Sequence, residues 1–318
     1  MKLRDIYSAC VEAGIAADLR PRSEIERVLA QARKTFDKLD QADQAFFDME
    51  KLTNPYADTR ICAGDPDREI RGLLVGIDME TPEVLLADRL RERGARIDLI
   101  FAHHPEGLGY ANLHDVMGMQ ADYWAASGVS VAAADALMAP RAEEVRRRIL
   151  PANHYRAVQA AELLDFASLS CHTPADNSVN AFVTRHLEQT APETLSAVVK
   201  SLREIEEYAD AARKGFGPSI VVGSGSARPG RMVVDMTGGT EGPVDALDRL
   251  SQAGVGTLVG MHYSEEHRKR ADELKLNLVI AGHVSSDALG MNLVLDRIEK
   301  LGALEVHCAS GMVRVKRG

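Results

Sequence analysis

The chain has 318 residues, of which 45% are hydrophobic and 27% are charged, as is common in globular proteins. This length exceeds one typical hydrophobic core, so we expect two domains. The formal net charge of −9 argues against a nucleic-acid-binding protein, which would normally carry a basic stripe. No apolar run approaches the length of a membrane span, and the N-terminal segment lacks a signal-peptide core, so we expect no membrane association.

The cysteines are scattered without paired spacing, at positions 10, 62, 171 and 308. We therefore expect reduced thiols and a cytoplasmic protein. Cys171 precedes a histidine, which could indicate a nucleophile. A small buried hydrophobic residue is the favoured interpretation of Cys171, because free cysteine is commonly buried.

Residues 1–55 are polar and rich in Ala, Glu and Arg, and we expect them to form a helical preface. Within it, Ser23 is the predicted N-cap of a helix that runs to about Lys38. From residue 70 onward the pattern alternates between strands and helices, which is typical of α/β proteins. A strand is predicted at 73–77, followed by a helix from about residue 81, where Pro82 suits the first turn.

The apolar run at 97–102 predicts a buried strand that is followed by His103, His104 and Pro105. Proline has no N–H and cannot continue a sheet, so the strand should end here. Open α/β sheets form their sites at such strand ends. Because imidazole is the commonest metal-binding side chain, the histidine pair indicates a metal site. The alternative is a pair of hydrogen-bonded strand-terminal residues.

A helical segment rich in Ala, Arg and Glu follows at about 120–165, and we interpret it as an insertion in a first α/β lobe of residues 56–193. After it, a polar stretch carries His172 and Asp176, ahead of a helix predicted to begin near Ser178. Taken alone, Asp176 is best explained as a helix cap. His172 could be a metal ligand, a proton shuttle or a group that orients a ligand, and the last two roles are favoured.

A second α/β lobe is predicted over residues 194–318, joined to the first by a helical stretch at 194–214. An internal repeat links the halves: Asp78, a helix and the strand before the histidine pair recur as Asp235, a helix and the strand before His262. Chance similarity between two βαβ units is the alternative. Two duplicated lobes facing one cleft would bring His262 and Glu265 to that cleft as candidate catalytic groups.

The last motif follows a buried strand at 276–281 and contains His283 and Asp287. Ser285 or Ser286 is the predicted N-cap of the next helix, which should run to about Glu299. Asp287 would then lie in the first helical turn, beside the positive end of the helix dipole.

Three motifs in this order resemble the Nif-three-like dinuclear-metal family, often described as type 2 GTP cyclohydrolase I-like. They are His-His-Pro at 103–105, His-Thr-x-x-Asp at 172–176 with Asn180 four residues on, and Gly-His-x-x-x-acid at 282–287. The stretch 56–66 resembles the family's opening, although it lacks the usual Trp and an Asn. The resemblance implies two α/β lobes with mixed sheets flanked by helices, a metal site in the cleft between them, and a ring-like homohexamer. By matching position, the metal ligands would be His103, His104, Asp176, His283 and Asp287.

Two departures from the family pattern bear on the site. Asp287 stands where the family usually has Glu, and its side chain is one methylene shorter. A shorter carboxylate could bind one ion yet fail to bridge two. The stretch between His104 and His172 is also longer than usual, because it contains the helical insertion.

Imidazole and carboxylate together select zinc, manganese, iron, nickel or cobalt rather than magnesium or calcium. Two such ions per chain would acidify a bound water, which favours a metal-dependent hydrolase. Its substrate would be a small molecule: a purine ring in the cyclohydrolase version, or else a phosphoester or an amide. His172, His262 and Glu265 are the candidates for proton transfer. The alternative is a metal-containing regulatory or protein-interaction module without turnover, which a closed site would favour.

Overall fold

The computed structural model describes residues 1–317, and Gly318, the last residue of the predicted second lobe, lies outside the described residues. It has two sheets, each flanked by helices. The strands are β1 (Arg60–Ala63), β2 (Gly72–Gly76), β3 (Leu99–Ala102), β4 (Ala167–Ser170), β5 (Ser219–Val222), β6 (Arg231–Asp235), β7 (Val255–Gly260), β8 (Asn277–Ile280) and β9 (Glu305–Cys308).

The helices follow the predicted alternation with the strands, and the preface and the insertion are helical as expected. In chain order they are α1 (Leu3–Ala17), α2 (Arg22–Lys38), α3 (Gln41–Gln44), α4 (Thr81–Glu92), α5 (Gly107–Ala111), α6 (Gly118–Ala126), α7 (Val131–Ile149), α8 (Arg156–Leu163), α9 (Thr173–Thr190), α10 (Leu195–Leu202), α11 (Glu206–Arg213), α12 (Ala246–Gln252), α13 (Glu265–Leu274) and α14 (His283–Ile298). No helix among residues 1–317 is both long enough and apolar enough to cross a membrane.

The two sheets repeat one topology. The first has the order β1–β4–β3–β2–β9 and the second has the order β5–β8–β7–β6. In each sheet the first strand is antiparallel to its neighbour and the others run parallel. Both antiparallel pairs also carry a register shift, between Ile61 and Ala63 in one and between Ile220 and Val222 in the other. These shared details confirm two duplicated α/β lobes.

The last strand, β9, pairs with β2 of the first sheet. The chain therefore returns to the first sheet after α14, within the range 194–318 that was predicted for the second lobe. Helix α1 of the preface also belongs to the first lobe, because Leu3, Ile6 and Cys10 are buried in the core of that sheet. The helices of the insertion extend toward the second lobe, where Trp124 of α6 shares a core with Leu247 of α12.

Helices α9 and α14 each reach from their own lobe into the core of the opposite lobe. Helix α9 follows β4 of the first sheet, yet its Val179 and Val183 are buried with residues of the second sheet. Helix α14 follows β8 of the second sheet, yet its Val294 and Leu295 are buried with residues of the first. The two helices meet at Gly290, where an added Cβ would lie 2.4 Å from the carbonyl oxygen of Ala175.

Both of these helices begin earlier than the sequence predicts. Helix α9 begins at Thr173 rather than near Ser178, because proline is compatible with a first helical turn and Pro174 does not delay it. Helix α14 begins at His283, after Gly282 at φ +117°, a backbone angle that favours glycine. The hydroxyls of the predicted caps, Ser285 and Ser286, instead donate to the Gly282 carbonyl from within the helix.

Candidate metal centre

The six candidate ligands come from three places where a strand ends and a helix or turn begins. His103 and His104 follow β3, and the other four form two His-x-x-x-Asp motifs at the starts of α9 and α14. Because α14 begins at His283, Asp287 lies just beyond its first turn and not within it as predicted. Side chains four residues apart share one face of a helix. Each lobe therefore contributes one histidine and one aspartate at the same spacing. His172 directly precedes α9, which carries Asp176, whereas His283 is the first residue of α14, which carries Asp287.

Asp287 lies at the centre of the cluster, and its two carboxylate oxygens face different histidines. Oδ1 lies 3.4 Å from Nε2 of His103, whereas Oδ2 lies 3.7 Å from Nε2 of His104 and 3.4 Å from Nε2 of His283. These separations exceed the usual 2.7–3.2 Å of an N–H···O hydrogen bond. The atoms therefore converge without bonding to one another.

Asp176 faces the cluster from the other helix. Its Oδ1 lies 3.5 Å from Nε2 of His103, and its Oδ2 lies 3.8 Å from Nε2 of His172. The donor atoms of His103, His104 and His172 also lie within 4.8 Å of one another. The structure thus brings His172, which the sequence analysis favours as a shuttle or orienting group, among the possible ligand atoms.

Three of the histidines are oriented through the nitrogen that faces away from the cluster. Nδ1 of His104 lies 2.6 Å from Asp78 Oδ1, Nδ1 of His172 lies 2.8 Å from Asp58 Oδ2, and Nδ1 of His103 lies 3.3 Å from the carbonyl oxygen of Cys171. Metal-binding histidines almost always have such an acceptor behind them. The outer contacts leave each Nε2 directed inward.

Burial controls the charges of the inner groups. Burial lowers the pKa of His103 to about 4, so this imidazole is neutral near pH 7. Burial opposes the charge of His172, but Asp176 and the hydrogen bond to Asp58 raise its pKa to about 9. Burial also raises the pKa of Asp176 well above its usual range, whereas His103 holds the pKa of the equally buried Asp287 below it.

The donor set fits a first-row transition ion. Asp176 is 4% exposed and Asp287 is 0% exposed, and three of their carboxylate oxygens have no hydrogen-bond partner among residues 1–317. Unpaired buried carboxylates are costly unless a cation accompanies them. Imidazole nitrogens facing carboxylate oxygens form the donor set that zinc, manganese, iron, nickel and cobalt accept. The residues can therefore hold a metal ion.

A cavity of about 610 Å³ opens beside this cluster. The side chains of His104 and His283 are 31% and 42% exposed, so the cluster is accessible from the cavity. His262 also lines the cavity, with its ring 4.9 Å from that of His283. Glu265 does not line it, because this exposed first residue of α13 pairs with Arg268.

Several residues at the site were not singled out from the sequence. Asp58 is fully buried and accepts hydrogen bonds from Thr173 and His172. The only sequence evidence for Asp58 was its position in the stretch 56–66, which resembles the opening of the family. Glu106, which directly follows the His-His-Pro motif, lines the cavity, and burial together with Glu80 raises its pKa to about 7. Asn180 points elsewhere, since its Oδ1 accepts from the backbone N–H of Met236.

Comparison with known proteins identifies similar structures. A solved structure of a NIF3 superfamily protein from Sphaerobacter thermophilus is 25% identical, with a TM-score of 0.71, over 80% of this chain and 92% of that chain. Reduced HcgD from Methanocaldococcus jannaschii is 14% identical, with a TM-score of 0.49, over 85% and 97%. A Bacillus cereus protein related to NIF3 is 13% identical, with a TM-score of 0.44, over 79% and 89%.

No family model matches the sequence, and no curated protein matches it either. The first comparison, with its 25% identity over most of both chains, confirms the family resemblance that the three motifs predict.

Proposed function

Because the chain resembles NIF3 superfamily proteins in fold and sequence, we propose that it is a metal-dependent hydrolase with two transition ions in the cleft between its lobes. One observation carries the proposal. Three buried carboxylate oxygens, on Asp176 and Asp287, have no hydrogen-bond partner in residues 1–317 and face the inward nitrogens of three histidines, His103, His104 and His283.

The proposed ligands divide into two sets that share Asp287. His103, Asp176 and Asp287 would hold one ion, and Asp287 would also hold the second ion with His104 and His283. Each of these trios has possible donor atoms within 4.8 Å of one another. His172, whose Nε2 lies 3.8 Å from Asp176 Oδ2, would complete the first set. The two-sided contacts of Asp287 support a shared carboxylate even though its side chain is shorter than the usual Glu.

When bound, such ions would supply Lewis acidity toward water and toward an electrophilic carbon or phosphorus. The chain's own residues would do the remaining work. Asp58 and Asp78 hold the rings of His172 and His104 in fixed orientations. His262 and Glu106 line the cavity beside the cluster and are the candidates to accept or donate a proton there.

The cavity also bears on the alternative, a metal-containing module without turnover. Such a module needs no space for a substrate, and its site would be closed. The cavity of about 610 Å³ beside the partly exposed His104 and His283 falls in the size range of small-molecule sites, about 300–1,000 Å³. This supports the hydrolase. The homo-oligomer and the cytoplasmic location stay predictions.

Elemental analysis of protein purified without a chelator tests the metal site, and a screen of esters, amides and phosphoesters with the metal found tests the activity. We expect up to about two ions per chain at saturation, as in two-metal hydrolases. Asp287→Asn should lose both ions and all turnover, whereas the matched control Glu265→Gln, outside the cavity, should keep both. Full metal content in Asp287→Asn would contradict the shared-carboxylate site.

A further inference from the structure

The cavity beside the metal cluster has an apolar wall built by two separate parts of the chain. Trp124 of α6 comes from the insertion, and Leu247 and Leu250 of α12 come from the second lobe. All three belong to one buried core. The partly buried Tyr110 and Leu113 extend the wall. This wall fits the ring or chain of an organic molecule rather than a strongly hydrated one.

Carboxylates dominate the charged groups of the cavity outside the metal cluster. They are Asp78, Glu80, Glu106, Asp235 and Glu241. The only lysine or arginine among residues 1–317 that lines the cavity is Arg156, and it is paired with Glu80 at 2.6 Å. A substrate that carried phosphates would find no free cation here beyond the metal cluster itself.

Glu241 is held in place by its neighbours. Its Oε1 accepts from the backbone N–H of Ser264 at 2.7 Å. The loop that carries it is fixed by the insertion, because Gln120 Nε2 donates to the carbonyls of Gly238 and Thr240 at 2.7 and 2.6 Å. A carboxylate fixed in this way acts on a ligand without first having to be ordered.

No lysine or arginine among residues 1–317 forms an ion pair with the Glu241 carboxylate. Arg141 donates to the backbone carbonyl of Glu241 at 3.1 Å, and its guanidinium pairs with Glu144. Nδ1 of His267 lies 3.2 Å from Oε1 of Glu241, but burial lowers the pKa of His267, which keeps the imidazole uncharged near pH 7. Tyr263 also lines the cavity, and its buried hydroxyl has no hydrogen-bond partner in residues 1–317. This part of the cavity therefore offers a negative charge and an unused hydroxyl to a ligand.

We propose that the cavity selects a neutral or positively charged small molecule with an apolar body, and that Glu241 determines this preference. The molecule's reacting group would face the metal cluster, and a second anionic group elsewhere on it, such as a triphosphate, would be rejected. The inference rests on the proposed metal site. It goes further by naming the substrate class and the residue that selects it.

Three probes that share one metal-binding group test the proposal on zinc-loaded protein by calorimetry. They are benzohydroxamate, its para-aminomethyl derivative and its para-carboxylate derivative. We expect the aminomethyl probe to bind at least about tenfold more tightly than the carboxylate probe, as one nearby fixed charge allows. Glu241→Gln should reduce that ratio at least about threefold, whereas the exposed Glu265→Gln should leave it unchanged.

The possible failures are distinguishable. Equal affinities of the two charged probes, or a preference for the carboxylate, would overturn the charge selection and leave the metal site standing. An unchanged ratio in Glu241→Gln would overturn the assignment of this residue. If plain benzohydroxamate does not bind the zinc-loaded protein, the accessible metal site fails, and the inference fails with it.

Discussion

Replacing Gly290 by alanine should weaken both the fold and the candidate metal centre. The added Cβ would lie 2.4 Å from the carbonyl oxygen of Ala175 and 2.8 Å from its carbonyl carbon, where ordinary contacts begin at 3.4 Å. Helices α9 and α14 must therefore separate by about 1 Å, and such overpacking typically costs about 1–3 kcal/mol of stability.

The same displacement reaches the ligands. Asp176 directly follows Ala175, and Asp287 lies one turn before Gly290 on α14. A separation of about 1 Å exceeds the roughly 0.5 Å within which functional groups must be held. We therefore expect the affinity for zinc to fall by about tenfold or more, as it does when an outer hydrogen bond to a ligand is lost.

Urea unfolding of the metal-free protein, followed by circular dichroism, measures the first effect, and competition with a chromophoric chelator measures the second. Gly118→Ala is the matched control, since Gly118 is exposed at the start of α6 and an added Cβ there would meet nothing within 4 Å. It should be neutral or stabilising by up to about 1 kcal/mol. Wild-type stability and zinc affinity in Gly290→Ala would refute the close helix contact.

Three further predictions concern single side chains. Asp58→Asn should lower zinc affinity by about 10–100-fold, because the acceptor behind His172 loses its charge, and unchanged affinity in a zinc titration would mean that this contact does not support a ligand. His172→Ala should reduce the bound zinc from about two ions to about one, and two retained ions in elemental analysis would return His172 to the role of a proton shuttle. Burial and then Glu241 raise the pKa of Asp235 to about 6, above about 3.9 in an unfolded chain. Protonated Asp235 therefore contributes stability below about pH 4 that is lost as the pH rises to about 6, and Asp235→Asn should gain about 1–3 kcal/mol relative to the wild type across that window. Urea unfolding at a series of pH values checks this. If Asp235→Asn already shows its full gain in stability at pH 4, the Asp235 carboxyl does not titrate with a raised pKa.

The strands and most helices of this fold could be predicted from the sequence because their patterns are local. The run at 99–102 is apolar throughout, and β3 is buried along its whole length, as a parallel strand covered on both faces should be. The starts of α9 and α14 were harder to predict. The start of α9 depends on a proline that fits a first turn, and the start of α14 depends on the backbone angle of Gly282. Polar residues taken as N-caps predict later starts for both helices.

Long-range contacts account for what the sequence did not indicate. Asp58 lies 114 positions before His172, so the pairing exists only in the folded chain. The insertion was predicted to be helical, but periodicity does not identify the partner of an apolar face, and Trp124 packs with α12 of the other lobe. The direction of Glu265 depends on where α13 begins, and that start turns its carboxylate toward Arg268 instead of the cavity.

The packing of α9 and α14 into opposite cores bears on the origin of a chain with two duplicated lobes. A single lobe of this topology, with its own last helix packed on a neighbour, would leave part of one face of its sheet uncovered. Two identical lobes that exchange this helix each pack it against the other's sheet, as in a domain-swapped dimer. The chain has the arrangement of such a dimer joined into one polypeptide. The two His-x-x-x-Asp motifs occupy corresponding positions in its two lobes. Neither lobe would hold the complete ligand set by itself.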